Sequence, residues 1–210
     1  MSQAIPSQAA RALDGENGAF DQLDASIKKV ASLRRGGAPG RSADWQQLES
    51  QASAILARRS DVEAANTAAK QLLADATAVL GGSNELLDRS GATALIQEFQ
   101  QRADQIRQIA AVLPDGGDSA ANAIAENVAF LRNVVNGLNG GDSDLDIRPL
   151  DNEGRETVLA PMLPVVASLE AQSASLGASI GPIGGLNENQ TQLEASANSL
   201  LDSAFGSSGG

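Results

Sequence analysis

One acidic run has part of the spacing of a calcium-binding loop. Asp142, Asp144 and Asp146 alternate along the chain, and an EF-hand loop places oxygen ligands at alternating positions and a Glu at its twelfth. Counted from Asp142, the twelfth residue is Glu153, but the sixth, where such a loop needs Gly, is Ile147. We therefore interpret the run as a polar connecting loop, with calcium binding as the alternative.

A second candidate is the basic pair Arg58 and Arg59, with Asp61 and Glu63 close by in sequence. Two guanidinium groups at a helix junction have the chemistry to hold an anion. The neighbouring carboxylates compete for the same donors, so a solvated turn between two helices is the preferred interpretation.

Aromatic and glycine-rich positions give two weaker candidates. Trp45 has the chemistry to stack on a ligand, but its helical spacing from Leu48 is typical of a core residue. The glycines at 177, 181, 184 and 185 do not follow a strand, as those of a phosphate-binding loop do. We interpret this segment as a hinge or connection.

Composition excludes most catalytic machinery. The sequence has no Cys and no His, which removes thiolate nucleophiles, the commonest general base and the usual zinc ligands. With 26 acidic and 15 basic residues the formal charge is −11, a field that repels nucleic acid. We predict a protein that binds or senses and is not an enzyme, with no cofactor and no metal. No binding residue is identified, and an Asp/Glu pair is the one route left to acid–base chemistry.

The elements that must position any site are helices. Apolar residues recur every three or four positions through most of the chain, and Gly or Pro punctuates them. No run approaches ~18 uninterrupted apolar residues, so we expect any membrane connection to come from segments outside this sequence. Breaks are predicted near Gly36 and Gly37, at Ser90 and Gly91, at Pro114 to Gly117, and at Gly140 and Gly141.

The order of features is repeated along the chain. Phe20 stands in a helix closed by two glycines, as Phe130 does, and the interval from Leu56 to Leu73 equals that from Leu176 to Leu193. We predict an all-α, elongated fold of two tandem helical-bundle modules stacked end to end. The modules span residues 1–89 and 90–205, followed by a flexible tail at 206–210.

Motifs in this order resemble a known family: the periplasmic sensory region of PilJ, the methyl-accepting chemoreceptor of type IV pilus and twitching-motility systems. The first module resembles it in Ser2, Gln3, Ala12, Leu13, Gly15, Ala19, Phe20, Trp45 and the run 55–59. The second resembles it in 128–142 with its Gly-x-x-x-Gly ending, in 159–165 and in Leu200, Leu201 and Asp202. Ala4 stands where the family commonly has Arg, and Pro6 where its first helix continues.

The resemblance implies the periplasmic part of an inner-membrane receptor that signals to a chemotaxis-type kinase. The implied partner is the major subunit of the type IV pilus, type IV pilin, or a small-molecule ligand, and the full-length receptor is expected to be a homodimer. Related nitrate sensors use an Arg on the first helix, and the departures at Ala4 and Pro6 argue against such a pocket. The alternative is a structural or secreted helical interaction protein, a spacer or filament component without a sensory role.

Overall fold

The computed structural model describes residues 3–35, 42–113 and 117–206. Over these ranges the chain is helical and has no strand, apart from an isolated bridge between Asp142 and Ile147. The all-α prediction is confirmed. None of the described helices combines the length and apolar character needed to cross a bilayer. The helices are α1 Ala4–Leu13, α2 Ala19–Arg35, α3 Ser42–Ala57, α4 Arg59–Ser90, α5 Thr93–Ala111, α6 Gly117–Gly140, α7 Asn152–Gly154, α8 Ala160–Ile183 and α9 Leu186–Gly206.

Glycines end several helices where the sequence predicts a break. Gly91 after α4 has φ +63°, and Gly141 after α6 has φ +86°. This left-handed conformation costs Gly little and reverses the chain after a helix. The predicted breaks at 36–37 and 114–116 lie outside the described residues, as do Ser2 and the tail from 207 to 210.

Several other glycines and prolines lie within helices without breaking them. Gly81 and Gly82 lie within α4, and a Cβ on Gly82 would stand 2.8 Å from the Met162 Cε of α8, so this glycine permits close packing. Gly177 and Gly181 lie within α8, which leaves only residues 184–185 as the turn to α9. Pro161 and Pro164 lie in the first turns of α8, directly after a π-helical turn at Arg155–Leu159.

The described chain forms two compact units. Unit 1 comprises residues 1–63 and 182–210, within which α1, α2, α3 and α9 pack together. Gln190 Nε2 of α9 donates to the Pro6 carbonyl of α1 at 2.9 Å. Ser196 Oγ donates to Gln51 Oε1 of α3 at 3.1 Å. Their apolar faces form the core, with Ile5, Leu23, Leu48, Ile55 and Leu193 fully buried.

Unit 2 comprises residues 64–181 and is an antiparallel bundle of α4, α5, α6 and α8. Gly82 of α4 contacts Met162 of α8, and Asp75 of α4 contacts Ser168. The order of these contacts is reversed along the two helices, so α4 and α8 run antiparallel. Its fully buried side chains include Leu72, Leu86, Ile96, Phe99, Ile106, Ile124, Leu131, Leu138 and Leu169. Such up-and-down bundles place binding sites between facing helices.

The two units do not coincide with the predicted modules. The predicted boundary at Ser90 falls inside unit 2, between α4 and α5, and unit 1 takes α9 from the far end of the chain. A helix break marks a local turn, whereas a unit is defined by packing between distant segments. Phe20 opens α2 while Phe130 lies in the middle of α6, so the two are not in equivalent positions. The elongated, end-to-end arrangement stays a prediction.

Candidate functional site

A buried carboxylate joins α4 to α8 in unit 2. The Asp75 side chain, in a residue only 7% exposed, accepts a hydrogen bond from Ser168 Oγ of α8 at 2.5 Å. Its other oxygen accepts from Gln71 Nε2, on its own helix, at 2.8 Å. A buried polar group is costly unless it is bonded, so this pair, which we call the α4–α8 polar contact, favours one alignment of α8 on α4.

The opposite flank of α8 borders a groove of about 370 Å³ against α6. Ala121, Ala125 and Val128 of α6 face Ala174 and Gly177 of α8 across it. We call it the α6–α8 groove. Its lining is mainly apolar, so it suits an apolar group.

An ion pair stands at one end of the α6–α8 groove. Arg132 Nη1 lies 2.9 Å from Glu170 Oε1, and both side chains are partly exposed. Such an exposed pair contributes little to stability. It does give the groove a polar end with one donor and one acceptor group, and α8 separates the groove from the α4–α8 polar contact.

A larger space of about 500 Å³ follows α5, but the residues that line it all belong to that helix. Arg102 at its edge bonds to Glu98 at 2.8 Å and to Asn127 at 3.3 Å, and its Cζ lies 4.7 Å from the centre of the Phe130 ring. The guanidinium is therefore already occupied. This space is a furrow on a solvated surface.

The predicted acidic loop is held by its own backbone. Asp142 Oδ1 accepts hydrogen bonds from the backbone N–H groups of Asp144 and Leu145, at 2.9 and 3.1 Å. Within the described ranges no group of three or more acidic side chains is arranged to hold a metal ion. Glu153, the twelfth residue of the calcium alternative, lies 3.3 Å from Arg89 Nη2 instead. The geometry favours the connecting-loop interpretation.

Arg59 of the predicted basic pair already forms ion pairs with two carboxylates. Its Nη1 lies 2.6 Å from Asp21 Oδ1 and its Nε lies 2.8 Å from Glu63 Oε1. These bonds, that to Asp21 first, raise the pKa of Arg59. Arg58 pairs with Asp61 at 3.7 Å, which again leaves an anion little to gain. Arg58 forms the turn between α3 and α4.

Trp45 and the glycine segment are structural in position. Trp45 is half-buried on α3, less enclosed than the core position that its spacing predicts. Gly185 has φ +86° in the turn to α9, as expected of a connection.

Sequence reasoning missed both Asp75 and the α6–α8 groove. Asp75 stands in the apolar stripe of α4, between Leu72 and Val79, both of which are buried. An acidic residue in register with buried positions was the available signal. The groove had no such signal, because it depends on which helices become neighbours.

Comparison of the chain with protein-family models and with curated proteins gives no match.

Proposed function

We propose that this chain is a sensory region similar to that of the PilJ chemoreceptors, on the periplasmic side of the inner membrane. The proposal includes a homodimeric receptor that signals to a chemotaxis-type kinase. The ordered motifs of the sequence support it, and the helical bundle of unit 2 is compatible with it.

The position of α8 is the observation that carries the proposal. One flank of α8 borders the α6–α8 groove, and another is fixed to α4 by Ser168 and Asp75. A ligand that enters the groove displaces α8. The buried hydrogen bond between Ser168 and Asp75 holds this helix in one defined position, from which it can shift to another. Packed helices change between such discrete arrangements rather than deforming continuously.

The chemistry of the groove defines what it accepts. An apolar group fits between the Ala, Val and Gly positions, and a polar end fits beside Arg132 and Glu170. A side chain of a protein partner, here type IV pilin, or a small amphipathic molecule meets both conditions. Binding is also favoured over catalysis because Asp75, the one buried carboxylate in the described ranges, is already bonded through both oxygens to Ser168 and Gln71.

The test uses the absence of Cys from the chain. Asn122→Cys, on the rim of the groove, is labelled with an environment-sensitive dye and titrated with the purified major pilin subunit. We expect a saturable change in emission. The same dye on Gln101→Cys, on the exposed side of α5, should not respond.

The pilin form of the proposal fails if neither labelled variant nor the unlabelled chain binds pilin at high micromolar concentration while circular dichroism shows intact helices. A response of the groove dye to a small amphipathic molecule, with none to pilin, would assign the groove to a small ligand.

A structural helical interaction protein is the second candidate. The exposed face of α8 has no charged residue, which favours helix-to-helix assembly. Open-ended association that grows with concentration, without any ligand response, would favour this candidate over a receptor, because a closed dimer stops at two copies.

A further inference from the structure

One polar side chain in the α6–α8 groove has no partner. Ser173 of α8 lines the groove, and only 8% of this residue is exposed. Within the described ranges its hydroxyl makes no hydrogen bond, whereas the hydroxyl of the similarly buried Ser179 bonds to the Ser175 carbonyl of its own helix. A buried polar group without a partner is costly. Ser173 is therefore ready to bond to a molecule that enters the groove.

The ion pair at the end of the groove can bind both charges of one ligand. Arg132 comes from α6 and Glu170 from α8, with Nη1 and Oε1 2.9 Å apart. A ligand with a single charge would leave one of these two residues without its partner. A molecule with a carboxylate and an ammonium group replaces one pair by two, because its carboxylate bonds to Arg132 and its ammonium group to Glu170. The pair is partly exposed, so little stability is lost when it opens.

The spacing along α8 defines the length of such a molecule. Ser173 lies one helical turn beyond Glu170, about 4.5 Å along the axis, in the direction of Gly177, which also lines the groove. The lining residues beyond the ion pair are uncharged, so a charged tail would find no counter-ion among them. A ligand that suits all of these positions has a zwitterionic end and, at about that distance, a neutral group that forms hydrogen bonds.

We infer that the α6–α8 groove binds a neutral α-amino acid with a polar side chain, of the chemical class of glutamine. The carboxylate of the amino acid bonds to Arg132, its ammonium group to Glu170 and its side-chain amide to Ser173, while its methylene groups lie against the Ala and Gly positions of the lining. The inference rests on the proposed function, because it names the small ligand of the same groove.

Calorimetric titration of the full chain tests the need for both charges. L-glutamine should bind saturably. N-acetyl-L-glutamine lacks the ammonium group and L-glutaminamide lacks the carboxylate, so each should bind at least about tenfold more weakly through the loss of one charge-assisted bond. Equal binding of the three compounds would overturn the inference. So would the absence of saturable binding of L-glutamine up to about 10 mM, a concentration that fills most of a site with a Kd of about 1 mM.

Matched variants test the two charged residues. Arg132→Gln and Glu170→Gln should each weaken the binding of L-glutamine by about tenfold or more. Arg107→Gln is the control and should leave the Kd unchanged, because Arg107 forms a similarly exposed ion pair with Asp104 on α5. Circular dichroism should show intact helices in all three variants, since exposed pairs contribute little to stability. Equal effects in the three would overturn the inference.

The Ser173→Ala variant tests the contact with the side chain of the ligand. It should weaken the binding of L-glutamine by about fivefold and leave that of L-norvaline, whose side chain forms no hydrogen bond, unchanged. Ser179→Ala should alter neither, because that hydroxyl bonds within its own helix. Unchanged binding of L-glutamine to Ser173→Ala would overturn the assignment of a polar side chain. Pilin is absent from these measurements, so their failure and the failure of the pilin titration are judged separately.

Discussion

The helices α5 and α8 stand at opposite corners of the same bundle and differ on the side that faces water. The exposed positions of α5 include Gln97, Glu98, Gln101, Gln105 and Gln108. The exposed positions of α8 have neither a charged nor an amide side chain. Both helices bury an apolar stripe of similar spacing, so the bundle itself does not require the uncharged face of α8.

The outward surface of α5 also has ion pairs between residues of the same helix, which α8 lacks. Arg107 donates two hydrogen bonds to Asp104, which hold the pKa of this carboxyl below its usual value. Arg102 bonds to Glu98 on the same helix. A solvated helix is typically built with such pairs three and four residues apart, whereas α8 has one partly exposed pair, and that pair extends to α6.

The largest expected effect is a loss of stability when a residue on the buried face of α8 is shortened. Leu169 is fully buried in unit 2, so Leu169→Ala should lower the free energy of unfolding by about 2–5 kcal/mol through lost burial and a residual cavity. Urea denaturation followed by circular dichroism measures this. The control, Leu73→Ala at an exposed position of α4, should change stability by less than about 1 kcal/mol; equal losses would contradict the assignment of the buried face.

A smaller loss is expected from the α4–α8 polar contact. Ser168→Ala removes one of the two hydrogen bonds to the buried Asp75 carboxylate, which should cost about 1–3 kcal/mol in the same measurement. Ser179→Ala is the control, because that hydroxyl bonds only to the Ser175 carbonyl of its own helix and should cost less. Equal losses would show that the hydrogen bond between α4 and α8 contributes no more to the free energy of unfolding than a bond within one helix.

A gain in stability is expected at Gly177. This residue is helical, and a Cβ added there meets no atom within 4 Å. Gly177→Ala should raise the free energy of unfolding by about 0.5–1 kcal/mol, because Ala restricts the unfolded chain and favours helix. Gly185→Ala should instead destabilise, since its φ of +86° is unfavourable for Ala. Thermal melts compare the two variants. A loss of stability for Gly177→Ala would show that the groove side of α8 has no room for a Cβ at this position.

The smallest effect comes from making α8 resemble α5. Replacing Ala167, Ala171 and Ala178 together by Gln should change the stability of the monomer by no more than about 0.5 kcal/mol per site, because exposed substitutions away from packed features are nearly neutral. Dilute samples, below the concentration at which copies associate, are required for this melt. A large loss would mean that the outer face of α8 is needed for folding and would remove the contrast between the two helices.

Much of the helical structure was predictable because its causes are local. The three-to-four spacing of apolar residues predicts helices, and Gly91 and Gly141 end α4 and α6 where the sequence indicates. Gly82 was harder to interpret, because the Met162 methyl that explains it comes from a distant segment. The sequence also indicated that the run from Asp142 is a connecting loop, because Ile147 stands at the position where a calcium-binding loop requires Gly.

The sequence by itself determined that this chain is helical, acidic and without Cys or His, because periodicity and composition are properties of neighbouring residues. Only the tertiary structure decided that α9 packs with α1, α2 and α3, that Asp75 is buried beside Ser168, and which side of α8 faces the core. Those outcomes depend on contacts between residues far apart in the chain. The buried and the exposed sides of α8 both lack charged residues, so only packing could distinguish them.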